Sequence, residues 1–210
     1  MDKVLGVGII GCGNISATYL ELIPMFRNIA VVAVADINAE AAKARGAAFH
    51  VPAQSVKELL SNPAVAIVLN LTVPAVHYKV TKQALLAGKH VYSEKPLTLT
   101  MAEAKDLRAI AKRKKLQVAA APDTFLGGSH QMIRKLIDDG AIGKVASGTA
   151  HILSQGMEHW HPNPDFFFKP GGGPILDMGP YYIANLVNLV GPVKRVAALA
   201  STPRKTRLIS

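Results

Sequence analysis

Two glycines that follow a buried apolar run constrain this chain more than any other feature. The stretch "GVGIIGCGNISATYL", residues 6–20, begins like a strand and continues as a helix, with Gly11 and Gly13 between the two. Glycine loses more conformational entropy on folding than any other residue, so this pair indicates that the backbone itself has a task there. A tight turn at Gly11 and a bare surface at Gly13 would let a pyrophosphate reach the amides at the helix N-terminus, with Ser16 replacing a third glycine.

A carboxylate follows where a dinucleotide needs one. Asp36 ends a second predicted strand, roughly 20 residues beyond the glycines, which is the spacing of an acid that binds the adenosine ribose hydroxyls. An acid there repels a 2′-phosphate, and the neighbouring Ile37 and Asn38 bring no arginine to offset it, so the sequence favours NAD and makes NADP the weaker candidate. The alternative is a purely structural turn in which Asp36 only caps the next helix.

Strand-like runs alternate with amphipathic helical runs up to about residue 121. The predicted strands are Val4–Ile10, Ile29–Ala35, Val65–Leu69, His90–Ser93 and Leu116–Ala121. The predicted helices are residues 14–23, a helix from the Asn38 cap to a Gly46 stop, residues 75–87, and two helices that start at the capping boxes Ser55…Glu58 and Thr100…Glu103. This order predicts a doubly wound α/β fold with a parallel sheet covered on both faces.

The pattern changes after Pro122. Helices are predicted at residues 129–140 and 178–191, and strands at Lys144–Leu153 and residues 193–200, around a segment rich in proline and glycine. We therefore divide the chain into residues 1–122 and residues 123–210.

Composition excludes several classes of protein. Half of the residues are hydrophobic, no apolar run reaches the roughly 20 residues of a membrane span, and the start of the chain lacks a signal-peptide cleavage site. A single cysteine rules out an internal disulfide and predicts a cytoplasmic location. The net charge of +10 suggests binding to nucleic acid, but the basic runs lack the interleaved aromatic residues of a single-strand binding surface. We therefore interpret the basic runs as solvated helix faces.

Two further segments follow predicted strands at the edge where open α/β sheets bind ligands. They are "NLTVPAVH", residues 70–77, and "SEKP", residues 93–96. In the second segment, a lysine and a glutamate, Lys95 and Glu94, stand side by side at a strand end. This pair fits a catalytic site better than a hydrophobic core, and a surface ion pair is the simpler alternative.

The chain resembles the Gfo/Idh/MocA family of nicotinamide-dependent oxidoreductases, which act mainly on sugars and cyclitols. The resemblance rests on "GIIGCGNIS", "VADIN", "LTVPAVH", "SEKPLTLT", "LIDDGAIGKV" and "GGGPILDMGPYY". It implies an NAD-binding Rossmann domain over residues 1–122 and a partial α+β domain over residues 123–210. In the family the second domain is built on an antiparallel sheet, and most of that sheet is expected to be missing here because the chain looks truncated. Homo-oligomers are expected for a full-length version.

The resemblance also implies roles for individual residues. Lys95 would be catalytic, beside the nicotinamide and the substrate hydroxyl. The implied cofactor-binding residues are Gly11, Gly13, Asn14, Ile15, Asp36, Thr72, Pro74, His77, Glu94 and Pro96.

Many relatives carry an aspartate and, four residues later, a histidine that transfers a proton. Here the aspartate is Asp177 and the later residue is Tyr181. The two would share a helix face if the helix began by Asp177, with Pro180 in its first turn. A lysine ammonium nearby would favour the phenolate of Tyr181, so Lys95 and Tyr181 together would handle the hydroxyl proton. Alternatively, Tyr181 only packs or binds substrate, and Lys95 acts alone.

The segment "EHWHPNPDFFFKPGGGP" is predicted to be a substrate loop, with a ring face from Trp160 and a hydrogen bond from His161. A plain structural loop is the alternative, and its acidic and histidine residues lack the spacing of a helical zinc site. Asp123 is a further candidate for substrate contact.

The sequence thus predicts an NAD-dependent dehydrogenase that acts on a secondary alcohol of a sugar, cyclitol or related polyol, without nucleic-acid or membrane partners. The alternative is a non-catalytic NAD-binding fragment that lacks a complete substrate domain.

Overall fold

The computed structural model describes residues 4–159, 161, 164–169, 171–202, 206 and 208. Its contacts divide the chain into two compact units, with the division between Ala121 and Pro122.

The first unit is built on a sheet of six parallel strands. In chain order they are β1 Leu5–Ile10, β2 Ile29–Ala35, β3 Ala53–Gln54, β4 Ile67–Asn70, β5 His90–Ser93 and β6 Val118–Ala120. Their order in the sheet is β3-β2-β1-β4-β5-β6, and every neighbouring pair is parallel. The order reverses direction at β1, so the carboxyl ends of β1 and β4 form the crevice where such sheets bind ligands.

Helices cover both faces of this sheet. They are α1 Asn14–Leu22, α2 Ala39–Phe49, α3 Val56–Ser61, α4 His77–Leu86 and α5 Met101–Lys114. Successive side chains of a strand point to opposite faces, and the core accordingly forms two clusters. Ile9 is buried with Leu20 of α1, whereas Ile10 is buried with Leu107 of α5. The predicted doubly wound α/β fold is confirmed for this unit.

Local signals placed most helix starts correctly. Both capping boxes form: Ser55 and Thr100 accept hydrogen bonds from the backbones of Glu58 and Glu103, and each glutamate bonds back to the cap. Asn38 caps α2 through its side chain, as predicted.

The bounds of β1, β4 and β6 differ by one or two residues from the predicted Val4–Ile10, Val65–Leu69 and Leu116–Ala121, and two larger details also differ. Helix α2 does not stop at Gly46 but continues to Phe49 and ends at His50, whose φ is 54°. Gly46 is needed inside the helix because a Cβ there would lie 2.6 Å from the carbonyl oxygen of Val51. Strand β3 was not predicted, because two residues carry too little periodicity to be recognised.

The described part of the second unit has three α-helices: α6 Gly128–Asp138, the short α7 Pro174–Asp177, and α8 Gly179–Val190. The predicted strands at Lys144–Leu153 and residues 193–200 are not formed, and these segments have no regular secondary structure. A strand is stabilised by hydrogen bonds to a neighbouring strand, and the described part of the second unit supplies none. The expected antiparallel sheet is therefore not observed.

Candidate functional site

The turn between β1 and α1 is shaped by two glycines with different tasks. Gly11 has φ +105°, and a Cβ there would lie 2.6 Å from the carbonyl carbon and oxygen of Leu71, so no other residue fits without strain. Gly13 is the N-cap of α1, and a Cβ there would meet no atom within 4 Å. The turn thus packs tightly below Gly11 and is open above Gly13, where backbone amides at the N-terminus of α1 are accessible to an anion.

The carboxylate of Asp36 is fixed beside this turn. One oxygen accepts a 2.8 Å hydrogen bond from the backbone N–H of Cys12, and the other accepts a 2.8 Å hydrogen bond from Asn38. Because Asn38 itself caps α2, Asp36 is not the N-cap of this helix. A partly exposed carboxylate held in this way is ready to accept hydrogen bonds from ribose hydroxyls.

Cys12 is a packing residue within this turn. Its side chain is buried, and burial, followed by the negative charge of Asp36, raises the pKa of the Cys12 thiol to about 11. The thiol therefore stays protonated at neutral pH and lacks the thiolate that a nucleophile requires.

Asn70 organises the loop after β4. Its amide nitrogen donates to the His77 carbonyl and to the Thr81 hydroxyl, both at 3.0 Å, and its oxygen accepts from the Thr72 hydroxyl at 2.6 Å. Asn70 is fully buried, so these bonds satisfy a side chain that would otherwise be costly to bury. They fix Thr72, and Pro74 begins a short 3-10 helix just after it, at the edge of the sheet beside Gly11.

His77 joins two loops of the candidate site. Its ring is buried, with Nδ1 2.7 Å from the carbonyl oxygen of Pro96 and Nε2 2.8 Å from the carbonyl oxygen of Thr72. A neutral imidazole can donate to one of these oxygens and an imidazolium to both. His77 therefore holds the loops after β4 and β5 together, and a direct contact with a cofactor stays a prediction.

The loop after β5 carries the "EKP" residues. Glu94 accepts a 2.8 Å hydrogen bond from the Tyr19 hydroxyl of α1 and a 3.2 Å bond from the backbone N–H of Lys95. Lys95 is partly buried, Pro96 is buried, and the peptide bond between them is cis. Glu94 is thereby linked to α1, the helix that Gly13 caps.

Asp177 and Tyr181 of the second unit do not lie on one helix. Asp177 ends α7, Met178 interrupts the hydrogen-bonding pattern, and α8 begins at Gly179 with Pro180 in its first turn. The condition that the helix begin by Asp177 is therefore not met, whereas the predicted place of Pro180 is confirmed. Both Asp177 and Tyr181 are partly buried.

The other proposed substrate residues have varied surroundings. Asp123 is exposed and precedes a 3-10 helix, Thr124–Leu126. His161 is partly buried, and its ring lies edge-on to those of Phe166 and Phe167, at centroid distances of 5.3 and 5.1 Å. Trp160 lies outside the described residues.

The sequence prediction missed two residues that organise the site. They are Tyr19, whose partner Glu94 lies 75 residues away in the sequence, and Asn70, whose partners lie within 11 residues. The only local signal was an uncharged polar residue, Asn70, at the end of an otherwise apolar strand.

The described part of the chain has neither a candidate membrane-spanning helix nor a candidate metal site. It contains no helix that is both long and apolar enough to cross a membrane. It also brings no three histidine, cysteine, aspartate or glutamate side chains together in a group that could hold a metal ion.

Comparison with known proteins decides the family. Residues 5–121 match the family model described as "Oxidoreductase family, NAD-binding Rossmann fold", and residues 130–208 match that of the "GFO/IDH/MocA C-terminal domain". The chain belongs to the Gfo/Idh/MocA oxidoreductase family. The expected NAD-binding Rossmann fold is thus confirmed, and the open backbone at Gly13 with the fixed Asp36 fits this cofactor.

Relatives of known sequence are longer than this chain. An uncharacterized oxidoreductase of Schizosaccharomyces pombe is 33% identical over 70% of this chain and 40% of its own length. The dTDP-3,4-didehydro-2,6-dideoxy-alpha-D-glucose 3-reductase of Saccharopolyspora spinosa is 30% identical over 86% of this chain and 54% of its own length. The chain therefore spans about half the length of the relatives that it matches.

Solved structures show the same fold. GenD2 from gentamicin A biosynthesis, in complex with NAD, superposes with a TM-score of 0.76 at 24% identity, covering 91% of this chain and 55% of that one. KijD10, a 3-ketoreductase from Actinomadura kijaniata in complex with NADP, superposes with a TM-score of 0.60 at 31% identity, covering 68% of this chain and 46% of that one.

Proposed function

We propose that this chain belongs to an NAD-dependent dehydrogenase that acts on a secondary alcohol of a sugar, a cyclitol or a related polyol. The observation that carries the proposal is the open backbone at Gly13, beside the Asp36 carboxylate that two backbone amides fix in place. The Saccharopolyspora relative is named for a reaction on a dTDP-linked sugar, which supports a sugar as the substrate class.

The first unit would hold the cofactor with the residues around the β1–α1 turn. The open space at Gly13 would take the diphosphate, beside Gly11, Asn14 and Ile15, and Asp36 would accept hydrogen bonds from the adenosine ribose. Thr72 and Pro74 line the region of the nicotinamide ribose in this proposal. The nicotinamide, when bound, supplies the redox chemistry at the carbon that carries the hydroxyl.

The hydroxyl proton requires a group of the protein. We assign the hydrogen bond with the substrate hydroxyl to Lys95 Nζ and the acceptance of the hydroxyl proton to Tyr181 Oη, with Asp177 binding the substrate. Since Asp177 and Tyr181 lie on separate helices, this assignment rests on the family resemblance and on the chemistry of a phenolate beside a lysine. Such proton transfer contributes about 10²–10⁴-fold to a rate. The alternative assignment leaves Lys95 alone in this role and gives Tyr181 a contact with the substrate only.

The test measures NADH production from a panel of polyols and sugars. We expect turnover with at least one substrate and a loss of about 10²-fold or more in Lys95→Ala. Lys79→Ala, which removes an exposed lysine of α4, is the matched control and should keep full activity. An unchanged rate in Lys95→Ala would remove Lys95 from the chemistry.

The role of Tyr181 needs its own comparison. Tyr181→Phe removes only the hydroxyl, so a lower rate and an altered pH–rate profile are expected if it accepts the proton. An unchanged rate and profile would leave Lys95 acting alone.

One observation favours a second candidate, a non-catalytic NAD-binding protein. The segments 144–153 and 193–200, predicted to be strands of a substrate domain, have no regular secondary structure. Binding of NAD without turnover of any substrate in the panel would support this candidate over the dehydrogenase.

A further inference from the structure

A cation from α2 lies beside the glycine turn. Arg45 is partly buried, and its Nη2 donates a 3.1 Å hydrogen bond to the carbonyl oxygen of Gly13. Its guanidinium carbon lies 5.8 Å from the centre of the Phe49 ring, one turn further along the helix. These two contacts hold the guanidinium beside the residue at which the backbone is open.

Arg45 forms no ion pair with a carboxylate of the described residues. Among the residues that the structure describes, no aspartate or glutamate oxygen lies within 4.0 Å of the Arg45 guanidinium. The oxygens of Asp36, the acid beside the glycine turn, accept hydrogen bonds from the backbone amides of Cys12 and Asn38. The hydrogen bond to Gly13 uses only one of several N–H donors of the guanidinium, so the others can bind an anion.

The location of this cation determines which anion it can meet. Gly13 and Asp36 border the place of the adenosine ribose in a dinucleotide fold, with the diphosphate over the glycines. A phosphate on the ribose 2′-oxygen would approach Asp36, which repels it, and Arg45, which attracts it. The residues next to Asp36, Ile37 and Asn38, bring no cation, so Arg45 is the group in this corner that can offset the repulsion.

We propose that Arg45 is a specificity-determining residue that lets this site accept the 2′-phosphate of NADP as well as NAD. Asp36 then sets a preference for NAD, and Arg45 keeps the difference in affinity small. The inference rests on the proposed function only in assigning a dinucleotide to the β1–α1 turn.

A structural role for Arg45 gives a different expectation. If Arg45 only links α2 to the turn before α1, its loss will loosen the Gly13 backbone and weaken both cofactors equally. A role in specificity affects the phosphorylated cofactor alone. The two roles are separated by the ratio of two dissociation constants.

The experiment measures the dissociation constants of NAD⁺ and NADP⁺ by calorimetry, together with those of the fragments 5′-AMP and 2′,5′-ADP. We expect the NADP⁺ constant of the unaltered chain to lie within about tenfold of the NAD⁺ constant. In Arg45→Met the NADP⁺ and 2′,5′-ADP constants should rise about tenfold or more, while those of NAD⁺ and 5′-AMP change less than about threefold. Lys43→Met, which removes an exposed cation of the same helix that pairs with Glu40 at 2.9 Å, should leave both cofactors unaffected.

The remaining outcomes each have one meaning. Equal weakening of NAD⁺ and NADP⁺ in Arg45→Met, or no NADP⁺ binding where NAD⁺ binds, overturns the inference and leaves the proposed function standing. No binding of either cofactor overturns both. If Arg45→Met fails to fold, the salt dependence of cofactor binding to the unaltered chain tests the inference. The NADP⁺ affinity should fall more steeply with salt concentration than the NAD⁺ affinity, and equal slopes overturn the inference.

Discussion

At the scale of single residues, Gly11 and Gly13 separate the requirements of folding from those of binding. Gly11→Ala should destabilise the protein by about 2 kcal/mol or more, because φ is +105° and the new Cβ would lie 2.6 Å from the backbone of Leu71. Urea denaturation followed by circular dichroism measures this change. A free energy of unfolding within error of that of the unaltered chain would contradict the geometry of the turn.

Gly13→Ala is the matched substitution with the opposite expectation. The Cβ meets nothing within 4 Å and the backbone is extended, so the free energy of unfolding should change by less than about 1 kcal/mol. The NAD⁺ dissociation constant should nevertheless rise about tenfold or more, because the methyl group occupies the space that the diphosphate needs. Unchanged affinity in a folded Gly13→Ala variant would place the diphosphate elsewhere.

The hydrogen bond between Tyr19 and Glu94 can be isolated by a double-mutant cycle. Tyr19→Phe and Glu94→Ala each remove one partner of a 2.8 Å bond that joins α1 to the loop before Lys95. Because the acceptor is a carboxylate, we expect a coupling energy of about 1–2 kcal/mol between the two substitutions, measured by urea denaturation. Additive effects would show that the bond contributes nothing to the stability of this loop.

At the scale of elements, a polar network joins α4 to α5. The Tyr78 hydroxyl donates to Asp106 at 2.8 Å, and Lys82 lies 2.9 Å from the same carboxylate. Hydrogen bonds from Lys82 and then Tyr78 lower the pKa of Asp106 from its ordinary value of 3.8. A lowered folded-state pKa stabilises the protein at pH values above the unfolded pKa, and this stabilisation is lost as the pH falls through the folded pKa.

This network predicts a pH dependence of stability. The difference in free energy of unfolding between the unaltered chain and Asp106→Asn should be constant from about pH 5 to 8 and shrink as the pH drops below about 4. It should be small, because more than a third of each charged side chain is exposed. Thermal unfolding at several pH values measures this difference, with Glu21→Gln, an exposed glutamate of α1, as the control. A difference that grows on acidification would contradict the assigned contacts.

The elements that the sequence predicted best are those with local signals. The capping boxes at Ser55 and Thr100 start their helices within a few residues, and β2 and β5 have the predicted bounds. Such signals depend on neighbours in the chain, so they can be recognised without knowing the fold. The predicted glycine turn and Asp36 belong to the same class.

Features that depend on distant partners could not be predicted. The segment Lys144–Leu153 has the residues of a strand, but a strand requires hydrogen bonds to a neighbour that the described second unit does not provide. The links of His77 to Thr72 and Pro96, and of Arg45 to Gly13, are likewise set by tertiary packing. No spacing in the sequence indicates them.

At the scale of the whole molecule, the two units differ in how completely they account for function. The first unit has a six-stranded sheet with two buried clusters, and the residues proposed to hold the cofactor follow the carboxyl ends of its strands. The second unit matches the C-terminal domain of the family over residues 130–208, and the chain spans about half the length of its relatives. Cofactor binding is therefore the part of the proposed function that can be tested most directly with this chain.

The most direct test is a titration of the 210-residue chain with NADH, in which binding is measured by calorimetry and by nicotinamide fluorescence. We predict a single site with a dissociation constant on the order of micromolar, and at least about tenfold weaker binding in the folded Gly13→Ala variant. The absence of any response at millimolar NADH, or equal binding by the Gly13→Ala variant, would contradict the claim that the β1–α1 turn holds a dinucleotide.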